Sequence, residues 1–208
     1  MVLAGAGLLA IAFLGKAALP YLLQDPSAVA RYASRRGWAL THVAAATVAL
    51  LTGPAQLWLG VSGRTPQGHR WLGRVYVASV GVGAAAAFYL STHTDYGWVM
   101  GTGLTGLGLA WIVTTTLAVT AIRRGLVDQH REWMIRSYVV TFAFVVFRAL
   151  FLALQAAEVG TLQEQLAACS WFCWAVPLVV TETILQGRKI FGPRGARDAD
   201  LRISRRPA

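Results

Sequence analysis

Long apolar runs alternate with short polar breaks along the whole chain. Six runs are readable, at about 2–23, 38–61, 71–92, 97–122, 133–157 and 166–186, each near the ~20 residues that a helix needs to cross a hydrocarbon core of ~30 Å. The third and fourth are the most uniform. The first is interrupted by Lys16 and Pro20 and has no positively charged region ahead of its apolar stretch, so it reads as a retained helix and not as a cleaved signal peptide. The pattern predicts an all-α fold, a polytopic membrane helix bundle of six transmembrane helices, or five if the first segment does not cross. A single transmembrane helical domain then takes residues 1–187, and 188–208 form a basic, disordered cytoplasmic tail.

Composition agrees with this class. Hydrophobic residues make up 56% and charged residues 13%, too little charge to coat a soluble domain. Small residues suit close helix packing, with Gly97, Gly101, Gly103, Gly106 and Gly108 in the fourth run, the first two forming a small-x-x-x-small pair. Trp38, Trp58, Trp71, Trp98 and Trp133 fall near run ends, where an aromatic belt is expected.

Charge sets the orientation. Fourteen of the nineteen basic residues, including Arg64, Arg70, Arg74, Arg123, Arg124, Arg131, Arg136 and the tail, fall on one face of the six-helix map. Positive charge is retained on the cytoplasmic side, which predicts both termini in the cytoplasm and the loop around Asp95 outside. Arg31, Arg35 and Arg36 dissent, and they fit a five-helix arrangement better. The net charge of +10 sits in membrane-flanking loops and the tail, so the expected partner of the basic face is anionic lipid and not nucleic acid, for which no recognition motif is present.

One passage occurs twice. HRWLGRVY carries His69, Arg70, Trp71, Arg74 and Tyr76; HREWMIRSY carries His130, Arg131, Trp133, Arg136 and Tyr138. Aligned on W-x-x-R-x-Y, the copies are 62 residues apart. Each leads into an apolar run, so two helices entering from one face bring equivalent imidazoles to one level. On this map His69 and His130 lie at the cytoplasmic mouths of the third and fifth segments, and His42 and His93 lie near the outer face. Paired imidazoles from facing helices are how b-type haem is held, with arginines to neutralise the propionates. Arg70, Arg74 and Arg136 are available inside, and Arg35, Arg36 and Arg148 outside. His69 and His130 are the first candidate ligands of a haem iron, and His42 and His93 a second pair. The competing reading makes each histidine an interfacial anchor. Two haems about 36 Å apart, the length of the 24 residues from His69 to His93, are also badly placed for fast transfer.

Three polar groups fall inside apolar runs. Arg148 lies well within the fifth and Glu182 deep in the sixth, where each must face the bundle or water, and their depths differ too much for direct pairing. Gln56, beside Pro54, places an amide at an expected helix break. Such groups serve a proton or solute path, or interhelical hydrogen bonding. Cys169 and Cys173 lack further soft ligands and read as packing, while Ser170 and Thr114 to Thr116 are expected to bond to their own backbone. Two functions follow: a redox protein holding haem b, with an unidentified electron-transfer partner, or a cofactor-free small transporter or membrane scaffold.

The runs LTGPAQLWLG (Leu51 to Gly60), GHRWLGRVYV (Gly68 to Val77) and DQHREWMIRSYV (Asp128 to Val139) resemble a bacterial family of predicted membrane proteins, domain of unknown function 2306, over about Arg31 to Glu182. The resemblance implies an integral helical membrane protein and carries no reaction, substrate or cofactor. In organisation the chain is also loosely similar to two-haem cytochromes of the b561 type, a likeness of fold that does not transfer function.

Overall fold

A computed structural model describes residues 15, 19–23, 25, 30–62 and 65–191. Among them are seven α-helices and no strand: α1 (Leu19–Leu22), α2 (Arg36–Ser62), α3 (Pro66–Thr92), α4 (Trp98–Arg123), α5 (Val127–Thr141), α6 (Ala143–Ala156) and α7 (Leu162–Phe191), with a 3-10 turn at Ala30–Arg35. Four helices (α2, α3, α4 and α7) are long and apolar enough to cross a membrane, and α5 with α6 qualify together as a fifth crossing, bent by 41°. The all-helical membrane bundle is as expected. Of the first predicted segment only α1 and its neighbours are described; Lys16, Arg64 and the tail from residue 192 lie outside the described residues, and α7 runs past the expected domain boundary at 187.

The fifth apolar run is two helices, not one. Thr141 Oγ1 donates back to the Ser137 carbonyl at 2.9 Å, a bond that bends helices, and the chain turns at Phe142 before α6 begins. The break expected at Pro54 is absent, because α2 is continuous through it. Proline cannot donate to the carbonyl four residues earlier, and that carbonyl, Leu50, receives the Tyr138 hydroxyl at 3.4 Å. Gly53 makes room, since a Cβ there would collide with the Tyr138 ring.

Helix ends follow local chemistry. Pro66 opens α3 at its first position, where its missing N–H costs nothing. A reciprocal capping box starts α7, the Thr161 N–H reaching Glu164 Oε2 at 2.8 Å and the Glu164 N–H reaching Thr161 Oγ1 at 3.4 Å. At the end of α4, Gly125 adopts φ 74°, and the Leu126 N–H returns to the Ala121 carbonyl at 2.9 Å, a Schellman stop. The same geometry closes α6, but there Glu158 holds φ 52°.

Short connections make successive crossings antiparallel neighbours, with α5 and α6 counted as one, and α4 packs against α3, α5 and α7. Its glycines allow this: a Cβ at Gly101 would lie 2.8 Å from the Ser91 carbonyl of α3, and one at Gly106 would lie 3.0 Å from Trp174 of α7. Gly97 is used differently from the expected small-residue pair, as the φ 90° residue that enters α4. The core gathers Tyr76, Val80, Leu107, Trp111, Met134, Tyr138 and Phe147, with Cys169 and Cys173 as buried free thiols. Trp38, Trp58, Trp71 and Trp98 are exposed, as anchors require. Trp133 is instead packed beneath Arg136, whose guanidinium lies 4.6 Å from the ring centre.

Candidate functional site

The site is made by the first turns of α3 and α5. Both helices start earlier than their apolar runs, at Pro66 and Val127, which makes His69 and His130 the fourth residue of each. Their backbone N–H groups close the first turn on the Thr65 and Leu126 carbonyls at 3.0 and 2.9 Å. Because α4 runs back between them, the two starts lie at the same end of the bundle. The imidazole rings meet at right angles, edge to face, with centroids 6.3 Å apart and planes at 86°.

Each ring is oriented by a neighbouring helix. His69 Nδ1 bonds to the Gln56 carbonyl of α2 at 3.1 Å, and His130 Nδ1 bonds to the Ala118 carbonyl of α4 at 2.9 Å. A carbonyl only accepts, so Nδ1 carries the proton in both rings and Nε2 keeps its lone pair. This is the support that orients metal-binding imidazoles. Gly60 lets the ring of His69 approach α2, since a Cβ there would sit 3.2 Å from its Cε1.

A buried shelf lies one turn further in. Met134 follows His130 and Gly73 follows His69 by four residues, so each shares its histidine's face. Gln56 fills the space over Gly73, where a Cβ would lie 3.6 Å from its amide nitrogen, and that nitrogen lies 3.8 Å from Met134 Sδ. Gln56 is 3% exposed and its Oε1 has no hydrogen-bond partner among the described residues. No cluster of three or more His, Cys, Asp or Glu occurs among those residues, so the pair does not complete a tetrahedral zinc set.

The second predicted pair is not brought together. His42 Nδ1 bonds to the Gly83 carbonyl at 2.9 Å and its ring meets Phe144 edge-on. His93 caps α3 in the open, bonded to the Tyr89 carbonyl at 2.8 Å and stacked on the Tyr89 ring at 4.2 Å. Gly83 and Tyr89 are six residues apart on α3, about 9 Å along the axis, which is too far for one metal.

The arginines divide likewise. Arg70 and Arg74 are exposed on α3 and carry no ion pair among the described residues. Arg136, expected to serve a propionate, is instead held by carboxylates: its side chain is 8% exposed, bonded to Glu182 at 2.6 Å and close to Glu132 at 3.5 Å. Lys189 reaches Glu132 at 2.8 Å and closes the network. Glu182 thus finds its partner in Arg136, and Arg148 lies elsewhere, on α6 beside a cavity. Arg35 is paired with Asp95 at 2.6 Å.

Sequence reasoning missed a buried hydroxyl cluster. Tyr76 Oη lies 2.8 Å from Ser137 Oγ and 2.7 Å from Thr141 Oγ1; Ser137 continues to Thr115 Oγ1 at 2.7 Å, and Trp111 Nε1 donates to Thr141 Oγ1 at 2.8 Å. The signal was available in spacing. Tyr76 and Ser137 each follow a site histidine by seven residues, two helical turns, and so share its face.

The family model described as Predicted membrane protein (DUF2306) matches residues 39–185. No curated protein and no solved structure matches the chain, so the looser likeness to b561-type cytochromes gains no support.

Proposed function

The chain belongs to the DUF2306 family of predicted membrane proteins, and from its own residues we propose that it is a membrane redox protein whose centre is held by His69 and His130. The observation that carries this reading is the pair itself: perpendicular rings with centroids 6.3 Å apart, each with Nδ1 tied to a carbonyl. Two metal–nitrogen bonds of about 2 Å, with about 1 Å from each nitrogen to its ring centre, span about 6 Å. His69 and His130, with no third His, Cys, Asp or Glu grouped with them among the described residues, would hold haem b as a bis-histidine pair. When bound, that group supplies one-electron chemistry. The chain's own part is to fix both tautomers, to offer Arg70 and Arg74 to the propionates, and to exclude water with the buried Gln56 and Met134 shelf. With His42 and His93 apart, one centre is expected and not two. The positive-inside rule favours the cytoplasmic side, against anionic lipid, for the basic end of the bundle where the pair lies.

The test is the purified protein from cells supplied with haem. A Soret band that shifts on dithionite reduction, with about one iron per chain by elemental analysis, is expected. His69→Ala and His130→Ala should each abolish it, and His42→Ala and His93→Ala should leave it. Colourless, metal-free protein that is folded by circular dichroism would refute the proposal and leave the cofactor-free transporter or scaffold.

A further inference from the structure

A cavity of about 230 Å³ lies in the other half of the bundle, between α2, α3, α4, the end of α5 and α6, with Tyr21 of α1 beside it. Ala46, Ala87, Leu104, Leu107, Trp111 and Phe144 make its wall apolar, and His42 is part of it. Three charged residues reach it: Arg35, Asp95 and Arg148. Arg35 and Asp95 neutralise each other at 2.6 Å. Arg148 has no carboxylate partner among the described residues, and it is the single charged residue of α6, whose sequence is otherwise AFVVF before it and ALFLALQA after it.

An unpaired cation inside an apolar crossing is unfavourable until an anion meets it. Here the cation is exposed at the mouth of an apolar hollow, and an amphiphile with an anionic head satisfies both features. We propose that this cavity binds an amphiphile with a carboxylate or phosphate head, the head on the Arg148 guanidinium and the apolar chain along the Ala87, Leu107 and Phe144 wall. Arginine suits either head, because its planar fork pairs with carboxylate and phosphate alike. Such a head comes from a free fatty acid or from an anionic phospholipid. The site is separate from His69 and His130 and stands whether or not they bind metal.

Native mass spectrometry of the full chain in a neutral detergent tests it, with dodecanoate, dodecyl phosphate and dodecanol as probes. One equivalent of each anion is expected to bind, at least tenfold more tightly than dodecanol. Arg148→Leu should remove that preference, and Ala87→Phe should abolish binding with Arg148 in place. Ala46→Leu is a milder filling variant should the larger one fail to fold. Equal affinity for dodecanol and dodecanoate, unchanged anion binding in Arg148→Leu, or unchanged binding in the folded filling variants would each overturn the proposal. Oleate and dioleoylphosphatidylglycerol then separate the sources. Binding of oleate alone assigns a free fatty acid, binding of the lipid assigns its headgroup, and binding of neither overturns the site.

Discussion

Replacing Tyr76 with phenylalanine removes one oxygen from the centre of the bundle and keeps the ring. The side chain is fully buried, with Oη 2.8 Å from Ser137 Oγ and 2.7 Å from Thr141 Oγ1, so the change cuts two bonds between α3 and α5. Neither neighbour is orphaned: Ser137 keeps Thr115 at 2.7 Å, and Thr141 keeps Trp111 at 2.8 Å. The cost is therefore that of two interhelical bonds, about 0.6 kcal/mol each in membrane proteins, or about 1.2 kcal/mol together, and not the ~1–3 kcal/mol of each unsatisfied buried group. Ser137→Ala should couple to it by about 0.6 kcal/mol, the worth of the one bond they share. Reversible unfolding in mixed micelles, followed by circular dichroism for the two single variants and the double, measures both quantities. A loss below about 0.3 kcal/mol, or a coupling near zero, would refute the idea that the cluster ties α3 to α5. A loss above about 4 kcal/mol would show that the hydroxyl satisfies groups with no second partner.

Other consequences are as direct. Glu158→Gly relieves a left-handed residue at the end of α6 and should stabilise by about 0.5–1 kcal/mol in the same unfolding assay; a decrease would mean that the glutamate side chain contributes more than its backbone costs. Glu182→Gln weakens the hold on Arg136, but Glu132 stays 3.5 Å away and Glu182 is 46% exposed, so a loss of about 1–2 kcal/mol is expected, below the ~3–5 kcal/mol of a fully buried broken pair. One-sided reporters fused after Ala208 and in the loop at Asp95 should report opposite sides of the membrane, with the C-terminus cytoplasmic; an external C-terminus would reverse the placement of the His69 and His130 end.

The class of fold was legible in the chain alone, because period and length of apolar runs are local properties and a membrane crossing is largely set by them. The repeated passage also implied that His69 and His130 lie at one end of the bundle, since equivalent places in two helices separated by one antiparallel helix must come to the same end. What followed from neighbours was not legible. Arg74 and Arg136 hold the same place in the two copies, yet one is exposed and the other is buried against Glu182, 46 residues on, because only α5 and not α3 packs on α7 at that level. Trp71 and Trp133 diverge for the same reason. Pro54 reads as a break in isolation, but Tyr138, 88 residues away from Leu50, satisfies the carbonyl that proline frees, and α2 continues. Local periodicity thus determined which segments are helices and which residues share a face. Which faces meet, and so which charges and hydroxyls find partners, was decided by packing between segments far apart in sequence.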